Sequence, residues 1–174
     1  EPLSIAFHAV RITPMVVNDS AVVVGSGMIG LLVIQALRIA GCGQIIAVDL
    51  DADRLEQARL LGADTRFVST DSDLNKKILD LTHGRGADHT FEVVGVTAAV
   101  RTAMSSVRKG GTVTLVGNLT PNIELPLQAV VTREITLYGS CASAGEIPAC
   151  LDMLARGKVS VDSLISATAP LSDG

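Results

Sequence analysis

Residues 21–30 read Ala-Val-Val-Val-Gly-Ser-Gly-Met-Ile-Gly, an apolar strand that runs directly into a Gly-x-Gly-x-x-Gly turn. An apolar-periodic run follows, and then Ile45-Ile46-Ala47-Val48 with Asp49 at its tip, roughly 20 residues beyond the turn. Few folds accommodate a strand, a glycine turn and a helix in so short a space. Gly25 lets the chain leave the strand sharply, Gly27 removes the Cβ that would stand in the way of a pyrophosphate, and Gly30 lets the helix pack closely. The helix opens at Met28 and Ile29, whose amides lack intrahelical acceptors and sit at the positive end of the dipole. Together these features predict a dinucleotide cradle.

Asp49 is the candidate acceptor for the two ribose hydroxyls. A carboxylate there repels a 2′-phosphate, so the expected cofactor is NAD rather than NADP. Arg54 is a candidate neighbour of the same ribose, while Leu50, directly after Asp49, supplies no positive charge. Asp49 has a plainer reading as a helix cap, but Asp51 is better placed to cap the helix that follows.

Along the chain, residues 3–11 read as a helix with Pro2 in its first turn, and Asn18-Asp19 turns into the first strand. Helices are expected at 28–39, 52–61, 73–82, 97–107, 127–132 and 147–155. Strands are expected at 44–49, 65–68, 87–94, 112–116 and 135–138, with Gly110-Gly111 as a turn. Repeated strand-then-helix units imply an α/β fold, a doubly wound and mostly parallel six-stranded sheet of Rossmann type with helices on both faces. Residues 164–168 are expected to add a terminal edge strand, a natural seam for a homodimer or homotetramer.

The chain has 174 residues, enough for one domain, and 48% of them are hydrophobic. A net charge of -4 and the lack of any Lys/Arg run argue against nucleic-acid binding. No stretch of about 18 apolar residues exists to span a membrane. Cys42, Cys141 and Cys150 are odd in number and widely spaced, which points to a reducing, cytoplasmic location. The start of the chain carries no basic segment of the signal-peptide kind. His8, His83 and His89 are scattered without zinc-ligand spacing and are expected at the surface or at helix ends.

In a doubly wound sheet the ligand lies beyond the carboxyl ends of the strands. This brings in Val93 and Val94 after the fourth strand, Val116, Gly117 and Asn118 after the fifth, and the stretch from Ser140 to Ala142 after the sixth. Val94 and Val116 are candidate walls for a nicotinamide, and the backbone around Asn118 and Cys141 a candidate partner for its carboxamide. Hydride transfer also needs a group that polarises the substrate oxygen. No residue cluster here offers one; the single tyrosine, Tyr138, falls on a strand and has no lysine partner.

The sequence resembles the cofactor-binding domain of the zinc-dependent medium-chain alcohol and polyol dehydrogenases across essentially its whole length. The resemblance is carried by Glu1-Pro2-Leu3-Ser4 with His8-Ala9, by Val24 to Leu32, by Asp49 with Arg54, and by Leu61-Gly62-Ala63-Asp64. Phe91-Glu92-Val93-Val94-Gly95, Gly110-Gly111, Val116-Gly117 and Arg133-Glu134-Ile135 complete it. The resemblance implies NAD, a catalytic zinc held on a separate catalytic domain, and an alcohol or ketone substrate. That domain's Cys-x-x-x-x-His and Gly-His-Glu stretches do not occur here, so residues 1–174 are expected to be a cofactor domain without its catalytic partner, inactive alone. By the same resemblance Glu1 inherits a place beside the zinc. Ala142 stands where many sugar-alcohol enzymes have arginine, and Cys141 replaces a larger residue, which opens the substrate class to a secondary alcohol, a butanediol-like diol or threonine as readily as sorbitol. Two alternatives stay open: a zinc-free quinone or enone reductase using NADPH, and a non-catalytic NAD-binding module.

Overall fold

The computed structural model describes residues 1–173. Its helices are α1 (Pro2–Ile12), α2 (Met28–Ile39), α3 (Ala52–Leu60), α4 (Leu74–Leu81), α5 (Thr97–Ser106), α6 (Leu127–Thr132) and α7 (Ile147–Ala155). Its strands are β1 (Ser20–Val24), β2 (Gln44–Asp49), β3 (Thr65–Val68), β4 (Ala87–Glu92), β5 (Val107–Leu115) and β6 (Thr136–Gly139). All strand pairs are parallel, in the order β3-β2-β1-β4-β5-β6. The order reverses beside β1, between β2 and β4, and this is where a doubly wound sheet opens a crevice at its carboxyl edge.

The continuous apolar run of β1 follows from burial on both sheet faces. Ala21 and Val23 join a core with Leu32, Leu37 and Phe91, and with α1, α3 and α7 residues. Val22 and Val24 join a second core with Ile46, Ile78, Val100 and Met104. Burying each such Val, Ile or Leu side chain contributes about 1.5–3 kcal/mol. Gln35, buried on α2, exchanges two hydrogen bonds with the backbone of Ser160, at 2.9 and 2.8 Å, and so fastens the segment after α7 to that face. No helix among the described residues is long and apolar enough to cross a membrane.

Three expectations are corrected. Residues 164–168 form no strand: a short 3-10 turn, Asp162–Leu164, leads into irregular chain, and Val161 and Leu164 pack against the first core instead. With that segment held to α2 through Ser160, β6 is the sheet edge. Gly110-Gly111 lies inside β5 rather than before it. The ladder pairs Ala87 with Val107 and then His89 with Thr112, so residues 108–111 bulge opposite the single residue Asp88. A Cβ on Gly111 would lie 2.7 Å from the Asp88 carbonyl oxygen, which explains a glycine there. His89 is not at the surface: only 3% exposed on β4, it bonds Thr112 Oγ1 through Nδ1 at 2.7 Å and the Asp19 carboxylate through Nε2 at 2.9 Å.

Candidate functional site

The turn between β1 and α2 uses each of its glycines differently. Gly25 has a φ of +103°, and a Cβ there would lie 2.7 Å from Val94 Cγ2. A Cβ on Gly30 would lie 1.9 Å from the Gly25 carbonyl oxygen, so the first turn of α2 rests on the loop itself. Gly27, the N-cap of α2, is extended, and a Cβ there would meet nothing within 4 Å. The space above it is open. The amides of Met28 and Ile29 have no acceptor among the described residues, and no side chain caps the helix. A bare backbone, free N–H groups and a helix N-terminus fit the needs of a pyrophosphate.

Asp49 ends β2 next to this loop. One carboxylate oxygen accepts a hydrogen bond from the Ser26 amide at 2.5 Å, the other from the Asp51 amide at 3.0 Å. Asp51 caps α3 as expected, accepting from the amides of Asp53 and Arg54 at 2.8 and 3.2 Å. Arg54 is exposed, its Nε 3.9 Å from the Asp51 carboxylate. A cavity of about 450 Å³ opens beside these groups, with Val24, Val48, Val94 and Ala99 among its apolar walls and Asp49 and Arg54 on one flank. The apolar slot and polar flank have the character of a site for a flat base joined to a sugar. Sequence reasoning did not bring Ser69, Thr70, Val96 or Thr102 to this cavity; the first two follow β3, whose carboxyl end was an available signal.

On the other side of the crevice, Val93 and Val116 pack against the first core, whereas Val94 packs against the second and lines the cavity beside Asp49. Val94 thus stands apart from Val116, and the two do not share one core as walls of a nicotinamide site. β4 ends at Glu92, so Val93 and Val94 lie in the loop after it. Glu92, also missed from sequence, organises that loop. Its carboxylate accepts from the amides of Val94 at 2.9 Å and Gly95 at 2.7 Å, and its carbonyl from those of Val116 at 2.8 Å and Gly117 at 3.0 Å. Burial pushes its pKa up, against the two amides that favour the ionised form. Gly95 and Gly117 cross at backbone distance: a Cβ on Gly117 would be 2.1 Å from the Gly95 nitrogen. Asn118 follows at the surface.

β6 delivers the last part of the crevice. The Ser140 amide donates to the Leu115 carbonyl at 2.9 Å, which sets the loop carrying exposed Cys141 beside Val116 and Gly117. Glu1 is exposed at the start of α1, and no group of three or more His, Cys, Asp or Glu side chains among the described residues could hold a metal ion.

Known proteins share this sequence and fold. The family model described as zinc-binding dehydrogenase matches residues 29–156. The L-idonate 5-dehydrogenase of Vitis vinifera is 36% identical over 170 residues, covering 95% of this chain and 46% of that protein. The crystal structure of 2R,3R-butanediol dehydrogenase from Bacillus subtilis superposes with a TM-score of 0.87 at 35% identity, covering 95% of this chain and 48% of that one. A structure from Sinorhizobium meliloti 1021, described as a zinc-binding dehydrogenase bound to NADP, gives 0.88 at 26% identity, covering 95% and 50%. The chain spans about half the length of the relatives it matches.

Proposed function

From the premise that this chain belongs to the zinc-binding dehydrogenase family, we propose that residues 1–174 are the NAD-binding domain of an alcohol or polyol dehydrogenase. The observation that carries the reading is the open backbone at Gly27 beneath free helix amides, one hydrogen bond away from the Asp49 carboxylate. On this reading the pyrophosphate lies over Gly27 and accepts from Met28 and Ile29, and the cavity beside Asp49 holds the adenosine. Asp49 retains unused lone pairs for the ribose hydroxyls, and its fixed negative charge disfavours a 2′-phosphate. Arg54 borders the same ribose. Val93, Val116, Gly117, Asn118 and Cys141 border the nicotinamide, which accepts a hydride when bound.

The catalytic zinc and the groups that hold it belong, in this proposal, to a separate catalytic domain, and Glu1 lies near the junction with it. The isolated chain is then silent toward alcohols. Its substrate in the complete enzyme is a secondary alcohol, and its location the cytoplasm. β6 is one of the two open edges of the sheet, and α6 just before it carries exposed Leu127 and Val131, which supports association of two copies there rather than through residues 164–168.

Titration of the chain with NADH and NADPH tests the cofactor, and alcohol-dependent reduction of NAD by the full-length protein, before and after chelation, tests the chemistry. Tighter NADPH binding would favour a zinc-free enone reductase. Binding of neither nucleotide would overturn the proposal.

A further inference from the structure

From the end of β6 the chain runs Gly139-Ser140-Cys141-Ala142-Ser143-Ala144-Gly145, with no side chain larger than cysteine before Glu146. Such a segment has little surface of its own with which to pack, yet its conformation is demanding. Ala142 has a φ of 51° and Gly145 one of 100°, and a left-handed alanine persists only where its surroundings over-determine it.

The surroundings do so through Glu146. This residue is only 6% exposed, and its Oε2 accepts from the Ala144 amide at 2.5 Å. Its Oε1 lies 2.9 Å from His8 Nδ1 and 2.8 Å from Arg11 Nε, both on α1. Arg11 also donates through Nη2 to the Ala144 carbonyl at 3.3 Å. Ala144 is therefore gripped at both its N–H and its C=O by one α1-anchored ion cluster. α1 is itself fixed to β5, since Thr13 Oγ1 lies 2.6 Å from Thr114 Oγ1. At its other end the segment starts from the Ser140 amide bonded to Leu115, beside Val116 and Gly117.

We propose that Glu146 is a positioning residue for the nicotinamide half of the cofactor: through Ala144 it holds the segment from Cys141 to Gly145 against the carboxyl end of β5. The assignment rests on the cofactor reading above and makes Glu146 a partner of the loop, not of the nucleotide. Because all the groups concerned lie on the β5–β6 side of the crevice, the adenosine half beside Asp49 is independent of them.

The test compares NADH with ADP-ribose, which carries the adenosine and both phosphates but no nicotinamide. In Glu146→Ala, NADH binding weakens about tenfold, the scale of one lost charge-assisted contact, while ADP-ribose stays within about twofold. Arg11→Gln, at an exposed side chain, moves NADH in the same direction by about threefold. Equal losses for the two ligands would mean that the cluster merely holds the domain together. Unchanged NADH affinity in a folded Glu146→Ala variant would mean that the loop needs no carboxylate. Either result overturns the assignment. A parent chain that binds neither ligand overturns the cofactor reading itself, and this inference with it.

Discussion

The Asp49 carboxylate accepts a hydrogen bond from the Ser26 amide at 2.5 Å, so the acid at the end of β2 and the glycine loop after β1 form one unit. Asp49→Asn removes the charge while keeping one acceptor oxygen. NADH binding is expected to weaken about tenfold, on the scale of a charge-assisted hydrogen bond, and the preference over NADPH to narrow. Titration of parent and variant with both nucleotides checks this, and unchanged affinities for both would remove Asp49 from the ribose site.

Gly27 and Gly30 separate binding from folding. A Cβ on Gly27 meets nothing within 4 Å, so Gly27→Val should melt close to the parent yet lose NAD, because the branched side chain fills the pyrophosphate position. Gly30→Ala drives its Cβ toward the Gly25 carbonyl oxygen, 1.9 Å away, and should lower the melting temperature markedly. Overpacking of this kind costs about 1–3 kcal/mol or more. Melting curves with and without NAD read both effects, and retained NAD affinity in Gly27→Val would count against the assigned loop.

What the sequence discloses and what it hides differ in range. The bounds of α2, β2 and β3 follow from local patterns, apolar periodicity broken by Gly25 and Gly41 or ended by Asp49, and the structure agrees with them. The groups that fix the loops of the site are long-range pairs. His8 and Glu146 stand 138 residues apart, and at the amino end of the sheet, away from the site, His89 and Asp19 stand 70 apart, so no local window holds both members. Glu92 reads in the sequence only as one residue of the Phe91-to-Gly95 stretch, and its four amide contacts come from two different loops. Gly110-Gly111 was legible as a break in the strand pattern, but a bulge and a turn use the same glycines.

Acid should loosen the fold at two identifiable places. Burial opposes ionisation of Glu146, but His8, the Ala144 amide and Arg11 outweigh it and pull the pKa from 4.5 to about 2. For Asp88 burial is likewise overcome, by the Ser20 amide and hydroxyl and by Arg108, and its pKa falls from 3.8 to about 2. Both values are depressed on folding, so the stability they contribute is present above the unfolded values and is lost as pH falls from the mid-4 range toward 2. Asp88→Asn should flatten the fall in melting temperature over that window while lowering stability at pH 7. A parent and variant whose melting temperatures fall in parallel would refute the role of Asp88.

Glu92 acts in the opposite sense. Burial raises its pKa, so the neutral acid is favoured in the fold, and its contribution is greatest below the unfolded value and fades as pH rises. Glu92→Gln keeps an oxygen for the Val94 and Gly95 amides without the buried charge. It should gain on the parent in melting temperature as pH rises above the ordinary glutamate value of 4.5, and a gap between the two that stays constant through that rise would overturn the argument.

The three thiols offer a direct view of the nicotinamide end of the crevice. Cys42 is buried, and burial outweighs its hydrogen bond to Gln44 and the nearby Arg38 to push its thiol up to about 11. Cys150 is buried and shifted in the same direction. Since the thiolate is the reacting form, both should resist alkylation near pH 8, and iodoacetamide should label exposed Cys141 alone. If the nicotinamide lies against the loop after β6, NAD slows that labelling severalfold, whereas ADP-ribose, which stops short of it, leaves the rate unchanged. Peptide mapping after timed quenching distinguishes the cases. Equal protection by the two ligands would mean that the loop closes over the phosphates instead, and no protection by NAD would move the nicotinamide away from Cys141.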